Sequence, residues 1–368
     1  MEQQVKGLRM LNVSLMMILM VGLLNHVILI PVLLSESGRD SWLSVLGGTG
    51  IILLWSPVVY LIARRTDQQM LPDWLRKRYG RTVSYLITIP LVICLFAINA
   101  VTVKDTVTWT VTSYLPFTPP LVVVIMLAGL CFWASRIGIQ AIAFSAGIIA
   151  PLVILLGLFV MTANLPNKHY GMVTPILENG FGPVWRGIPF VIGGFIELFL
   201  LNLFQHHVQT KIKWMHLLLL ILVFLILTLG PLMGAISEFG PTEATRQRYP
   251  AYEQWRLVRV GKQVEHLDFM SIYQWLSGSF IRISLLNFLT IELLGVRRQK
   301  LRTYWLLGVT VLLIVCALIP LSDIRFFEGL ATFYFPIVVT TLGVASLVVC
   351  GLTFLPRKIE GANERERS

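Results

Sequence analysis

The stretch Gly187-Ile188-Pro189-Phe190-Val191-Ile192-Gly193-Gly194-Phe195-Ile196-Glu197 opens an apolar run that continues to Phe204. The run is about long enough for one crossing of a bilayer, which takes roughly 20 helical residues. Its contents do not suit a plain crossing. Pro189 removes a backbone donor, the Gly193-Gly194 pair loosens the helix, and Glu197 puts a carboxylate at membrane depth. In lipid such features persist only where protein or enclosed water satisfies the freed groups. The run therefore reads as an interrupted helix that faces other protein. One other run has the same character: Val21-Gly22-Leu23-Leu24-Asn25-His26-Val27, followed by Pro31.

Around these two, ten apolar segments are long enough to cross a membrane: 11–34, 41–63, 83–102, 120–134, 140–161, 187–204, 214–236, 267–294, 303–321 and 329–354. They are called helix one to helix ten. The fourth is short, and residues 135–138 are the only break between it and the fifth, so one hairpin-like segment reads much the same. The chain is 56% hydrophobic and 13% charged, where a soluble domain carries about 25% charged residues. Lipid is the natural solvent for that excess.

The net charge of +11 is read as membrane orientation rather than as a nucleic-acid surface. With the N-terminus inside, Lys6, Arg9, Arg64, Arg65, Arg76, Lys77, Arg78, Arg81, Arg136, Lys211, Lys213, Arg297, Arg298, Lys300, Arg302, Arg357, Lys358, Arg365 and Arg367 all fall inside. The short outer loops are nearly free of Lys and Arg, so both termini are expected in the cytoplasm. Lys6 and Arg9 before an apolar stretch superficially suggest a signal peptide. The stretch runs past Ile30 without a small-x-small cleavage site, which makes it a retained first helix.

The two interrupted segments hold equivalent places, the first of each set of five. Paired interruptions of this kind point to an inverted-repeat transporter architecture, with residues 1–161 as one repeat and 187–356 as the other. The alternative is that Gly and Pro are simply common in membrane helices. Residues 237–266 form a long outer loop with Tyr249, Pro250, Tyr252, Trp255 and mixed charges. A loop of that length is usually functional or disordered. A lid packed on the membrane face and a solvated loop are both open. Glu253, Arg256 and Arg259 are spaced to share one face of a short helix.

Several ordered motifs resemble the spore-germination permease family, the B subunits of Ger-type nutrient receptors, within the amino acid–polyamine–organocation superfamily. They are Pro31 with Gly38-Arg39-Asp40-Ser41-Trp42; Tyr114-Leu115-Pro116-Phe117-Thr118-Pro119; Arg136-Ile137-Gly138 with Ile142-Ala143; and Thr174-Pro175-Ile176-Leu177, Gly180, Gly182-Pro183 and Gly187. The most specific are Tyr249-Pro250, Glu253, Arg256, Gly261, Glu265, Asp268, Trp275 and Phe280-Ile281-Arg282-Ile283-Ser284. The resemblance implies an all-α membrane protein with a five-plus-five inverted-repeat (LeuT/APC-like) fold and discontinuous helices one and six. It also implies a receptor in the inner membrane of the spore, with a membrane-bound A subunit, a lipoprotein C subunit and a small nutrient such as an amino acid or sugar. Relatives often carry a Gly-rich break in helix one. Here Gly22 is followed by Leu23-Leu24-Asn25-His26, which leaves fewer backbone N–H groups free for a carboxylate.

A charge at a helix centre costs about 2.5–3.5 kcal/mol for Arg on insertion scales, which singles out Glu197 and Arg282. In the implied fold helices one, three, six and eight line a central cavity. Glu197 and Arg282 are expected there, either paired or touching a zwitterionic ligand, with a purely structural ion pair as the alternative. Arg282 can also stand where sodium-coupled relatives hold a cation. Gly22, Asn25, His26, Gly193 and Gly194 are candidate ligand contacts at the two breaks. Asn25 and His26 serve equally well to satisfy freed backbone groups. Tyr249, Pro250, Glu253 and Arg256 are candidate gate or partner-docking residues.

No metal site is expected. His206, His207 and His216 lie beside Lys211 and Lys213 with no acidic or Cys partner spaced for ligation, and Glu292 reads as an interfacial carboxylate near Arg297. Cys94, Cys131, Cys316 and Cys350 each lie alone in apolar runs, as packing residues do. No nucleotide-binding, GxSxG or HExxH motif is present, so neither an enzyme nor a cofactor is expected. Besides the receptor reading, a secondary transporter of amino acids or related solutes and a purely structural assembly subunit remain as alternatives.

Overall fold

The computed structural model describes residues 7–259, 261, 266–296 and 298–356. Lys6, Val260, Glu265, Arg297, Arg357, Lys358, Arg365 and Arg367, which entered the orientation, loop and family readings, lie outside the described residues. Among the described residues the elements are helical, apart from an isolated bridge between Leu8 and Val208.

Among the described residues, nine helical stretches are long and apolar enough to cross a membrane. The first, Met10–Arg65, has 56 residues, about 84 Å of helix and far more than one crossing needs. It holds helices one and two, and its hydrogen bonds to the helix-six region fix their directions. Leu8 N–H donates to the His207 carbonyl at 2.7 Å, and Ser37 Oγ donates to the Pro183 carbonyl at 2.8 Å. Helix one therefore runs antiparallel to helix six. Ser44 Oγ then meets the Val184 carbonyl at 3.0 Å and Asn202 Nδ2 meets the Val59 carbonyl at 3.1 Å, so helix two runs back alongside. The described residues thus hold ten helices of crossing length, the number the apolar pattern anticipates.

Helices four (Pro120–Ile137) and five (Ile139–Ala163) are distinct, parted by Gly138 at φ +120°, a backbone conformation that side chains disfavour. Helix three (Arg81–Ser113) outlasts its apolar stretch, and helix ten (Asp323–Phe354) starts earlier than hydropathy suggests. Helices two (Ser41–Arg65), seven (Trp214–Phe239), eight (Met270–Leu293) and nine (Gln299–Leu318) lie close to expectation.

The interruptions are changes of helical pitch rather than unwound segments. Helix one passes from α (Met10–Leu23) through a π turn (Leu24–Leu29) to α (Ile30–Ser37). Pro31 supplies a cause, since its ring would collide with the Val27 carbonyl in regular α geometry. Helix six passes from α (Gly182–Phe195) through a 3-10 turn (Ile196–Phe199) to a last α turn (Leu200–Leu203).

Helices one, six and eight are largely enclosed, whereas four, five and nine turn most of their surface outward. Helices three and eight also run antiparallel, with Thr106 opposite Ser279, Thr102 opposite Arg282 and Asn99 opposite Asn287. On the face that holds Leu8, the short helix Leu71–Tyr79 buries Leu71, Trp74 and Leu75 and turns Lys77 to solvent. Arg78 caps the Leu355 carbonyl at 2.6 Å, joining this helix to the end of helix ten.

Candidate functional site

The two buried charges meet. Arg282 Nη1 and Nη2 donate to Glu197 Oε2 and Oε1 at 2.6 and 2.7 Å, and both side chains are 0% exposed. The rest of the guanidinium is also engaged. Nε donates to Thr102 Oγ1 at 2.9 Å, Nη1 to the Met20 carbonyl at 3.0 Å, and Nη2 reaches the Tyr334 hydroxyl at 3.4 Å. One side chain thus ties helix eight to helices one, three, six and ten. Two parallel N–H···O bonds are the strongest arrangement available to such a pair.

Asn25 stands beside this hub, in the π turn of helix one. It is fully buried, and neither Nδ2 nor Oδ1 has a hydrogen-bond partner. Its carboxamide faces Gly194, where an added Cβ would lie 2.6 Å from Asn25 Oδ1 and 3.0 Å from Leu29 Cδ2. The close approach of helices one and six therefore requires glycine at 194.

The other expected contacts point elsewhere. Gly193 abuts Phe335 and Val339 of helix ten, and Gly22 abuts Leu227 of helix seven. His26 Nδ1 lies 3.0 Å from the Gly22 carbonyl, so this imidazole serves the backbone of its own interrupted helix. The structure pairs Glu197 with Arg282 and sets Asn25 against Gly194, three residues before Glu197, and it leaves Gly22, His26 and Gly193 out of both contacts.

Above the hub lies an aromatic plug. Trp109 and Trp275 stack at 3.9 Å with ring planes 7° apart. Each is seven residues from its hub neighbour, Thr102 or Arg282, which is about 10 Å of helix. Tyr114 and Tyr252 pack edge-on against Trp109, and Tyr249 against Trp275. Burial pushes the Tyr114 and Tyr249 hydroxyls above the ordinary tyrosine range, and the Asp105 carboxylate adds to this at Tyr249, so both keep their protons.

The long loop supplies part of this plug and is folded, not solvated, over its described residues. It forms short helices Pro241–Ala244 and Pro250–Arg256. Gln254 Nε2 donates to the Pro231 carbonyl at 2.7 Å, Trp255 Nε1 to Gln274 at 2.9 Å, and Asn164 Nδ2 to the Gln254 carbonyl at 2.7 Å. Arg248 reaches Asp105 at 2.6 Å and Asp323 at 3.3 Å, fastening the loop to helices three and ten. Tyr249 and Pro250 face inward, while Glu253 and Arg256 pair at 3.0 Å on the rim of an open cleft of about 550 Å³. The helix ends at Arg256, so Arg259 does not share its face, contrary to the spacing.

At the opposite end, the expectation of unpartnered histidines fails. His206 Nε2 and His207 Nε2 lie 3.3 and 2.9 Å from the same oxygen of Glu292, Oε1. Sequence reading missed this cluster, as it missed Thr102, Tyr334 and the tryptophan stack. Each joins segments far apart in the chain, and period-based reading holds no signal for such contacts.

Comparison with known proteins fits this architecture. A family model described as spore germination protein matches residues 9–324. Spore germination protein XB of Bacillus anthracis is 40% identical over 338 residues, which is 92% of this chain and 95% of that protein. Spore germination protein KB of Bacillus subtilis (strain 168) is 23% identical over 269 residues, covering 70% of each. Among solved structures, the crystal structure of MhsT in complex with L-phenylalanine superposes with a TM-score of 0.62 over 92% of this chain and 97% of its own, at 13% identity. That likeness fixes the fold class as the five-plus-five LeuT-like arrangement. The sequence match reaches from the first interrupted helix into the start of the tenth, and on it the chain belongs to the spore-germination permease family.

Proposed function

We propose that this chain is the membrane-embedded B subunit of a spore nutrient-germinant receptor. It binds a small nutrient, an amino acid or a sugar, between helices one and six and turns that binding into a germination signal. The observation that carries this reading is the Asn25 carboxamide, buried beside Gly194 with both polar atoms unpartnered. Each buried group left without a hydrogen bond costs about 1–3 kcal/mol, which a ligand's own donor and acceptor recover. Recognition through a side-chain amide suits a helix one poor in glycine. It also suits an Arg282 whose N–H groups are all taken by protein.

On this reading the Arg282–Glu197 pair is a coupling hub rather than a ligand contact. Five helices meet at it, so a ligand that moves helix one against helix six changes the hub's bonds. That is a ligand-biased two-state equilibrium. The basic residues on the face holding Leu8 support a cytoplasmic N-terminus. Membership of the family supports an inner-spore-membrane location and assembly with an A subunit and a C lipoprotein. The lid and cleft on the far face suit nutrient entry from outside.

Spores carrying Asn25→Ala or Asn25→Leu test the reading, with receptor abundance checked by immunoblot. The expected result is a nutrient response shifted at least tenfold in concentration at normal abundance. An unshifted response in both variants overturns it. Sustained uptake of labelled amino acid by cells expressing the chain alone would favour secondary transport instead.

A further inference from the structure

The segment after helix six gathers groups that the nutrient site does not use. We propose that His206, His207 and Glu292 form a binding site for one divalent transition-metal ion, with Zn2+ the best match to the donor set. Their ligand atoms all lie within 4.8 Å of one another. A tetrahedral ion with bonds of about 2.0–2.1 Å holds its ligand atoms roughly 3.3 Å apart. His206 Nε2 is 3.3 Å from Glu292 Oε1 and His207 Nε2 is 2.9 Å from it, close to that spacing, so both imidazoles reach the carboxylate oxygen at about the separation an ion would impose. Two imidazoles and a carboxylate are also a ligand set of open zinc sites, with a fourth position left for water.

Hydrogen bonding alone accounts poorly for the cluster. Both histidines converge on one carboxylate oxygen, while buried Oε2 of Glu292 and buried Nδ1 of His206 have no partner. Glu292 is 8% exposed, and the two imidazoles are 19% and 25% exposed, which gives an ion a route in from solvent.

The backbone that presents the histidines is held from both sides. Leu8 exchanges backbone hydrogen bonds with His207 and Gln209, and Gln68 Nε2 donates to the Gln205, Val208 and Thr210 carbonyls. Gln205 is fixed in turn by Thr66 and Gln69. Such outer support orients ligands before an ion arrives. Occupancy would staple the end of helix six to the end of helix eight on the face holding Leu8.

The test uses the full chain in detergent, purified without a polyhistidine tag and stripped with chelator. Zn2+ is added, excess is removed by gel filtration, and bound metal is measured by mass spectrometry. Co2+ then serves as a spectroscopic probe. The expected result is one Zn2+ per chain, a visible absorption band of four-coordinate Co2+, and a raised melting temperature with Zn2+ but not with Mg2+. His207→Ala and Glu292→Gln should each weaken binding at least tenfold, and His206→Ala/His207→Ala should abolish it. His216→Ala, which alters a histidine outside the cluster, should bind as the native chain does. The proposal is overturned if the native chain retains less than a stoichiometric ion and gains no thermal stability. It is also overturned if the double variant, eluting as a well-behaved species, binds as much as the native chain.

Discussion

Replacing Glu197 with Gln tests the hub directly. The substitution preserves shape and removes one charge, leaving Arg282 fully buried with its guanidinium uncompensated. Arginine does not shed its proton in proteins, so the charge cannot be relieved by titration. Removing one partner of a buried pair costs about 3–5 kcal/mol. At roughly 2 °C per kcal/mol for a chain of this size, Glu197→Gln lowers the melting temperature by about 6–10 °C. Arg282→Gln, which likewise leaves one charge of the pair buried without its partner, also lowers it. The double variant Glu197→Gln/Arg282→Gln carries no buried charge and recovers much of the loss. Its defect should be smaller than the sum of the single defects by about 2 kcal/mol or more, the signature of contacting residues. The four free cysteines, three of them buried, offer the assay: a thiol-reactive fluorophore reports unfolding in detergent without an added label. Additive single and double variants would refute the hub, since they would mean that the two charges do not sense each other.

Gly194→Ala should lower the melting temperature by the cost of overpacking, about 1–3 kcal/mol, and shift the nutrient response. Gly230→Ala, where an added Cβ meets nothing within 4 Å, should do neither. Asp105→Asn should unfasten Arg248 from helix three and speed hydrogen exchange across residues 244–258 about tenfold, or about 1.4 kcal/mol, with little change in helix eight. The Arg282 guanidinium occupies the helix-one–helix-eight interface with a fixed positive charge, so germination should be equally strong in sodium-free and sodium-containing buffers.

The spans were legible because hydropathy is local: each helix carries its own apolar record in about 20 consecutive residues. The two interruptions were legible for the same reason, since Gly22, Pro31 and Gly193-Gly194 act on the backbone where they stand. The apolar stretch of helix three ends at Thr102, just before Lys104 and Asp105, so hydropathy alone stops the helix there. In the fold the Ala317 and Ile319 carbonyls take the ammonium and Arg248 takes the carboxylate, so the helix continues. Partners posed the harder question. Glu197 and Arg282 could be named as candidates from the cost of burying charge, but their union spans 85 positions and only folding reveals it. The histidines at 206 and 207 misled because their acid is a further helix pair away, at 292. Asn25 and His26 are neighbours in sequence with the same apparent claim on a ligand. About a quarter-turn of the π turn separates them, and it sends one to Gly194 and the other to its own backbone.

Helix eight has the lowest mean hydropathy of the crossing helices, at 1.3, and is among the most enclosed. During synthesis it must leave the ribosome and enter the bilayer carrying Arg282, before helices nine and ten exist. Of the partners it meets in the fold, Thr102 on helix three and Glu197 on helix six precede it in the chain, and Tyr334 follows. The order of the genetic text matches the order in which the charge needs its partners. A nascent chain without the helix-six carboxylate would bring that arginine to the bilayer with its one opposite charge missing.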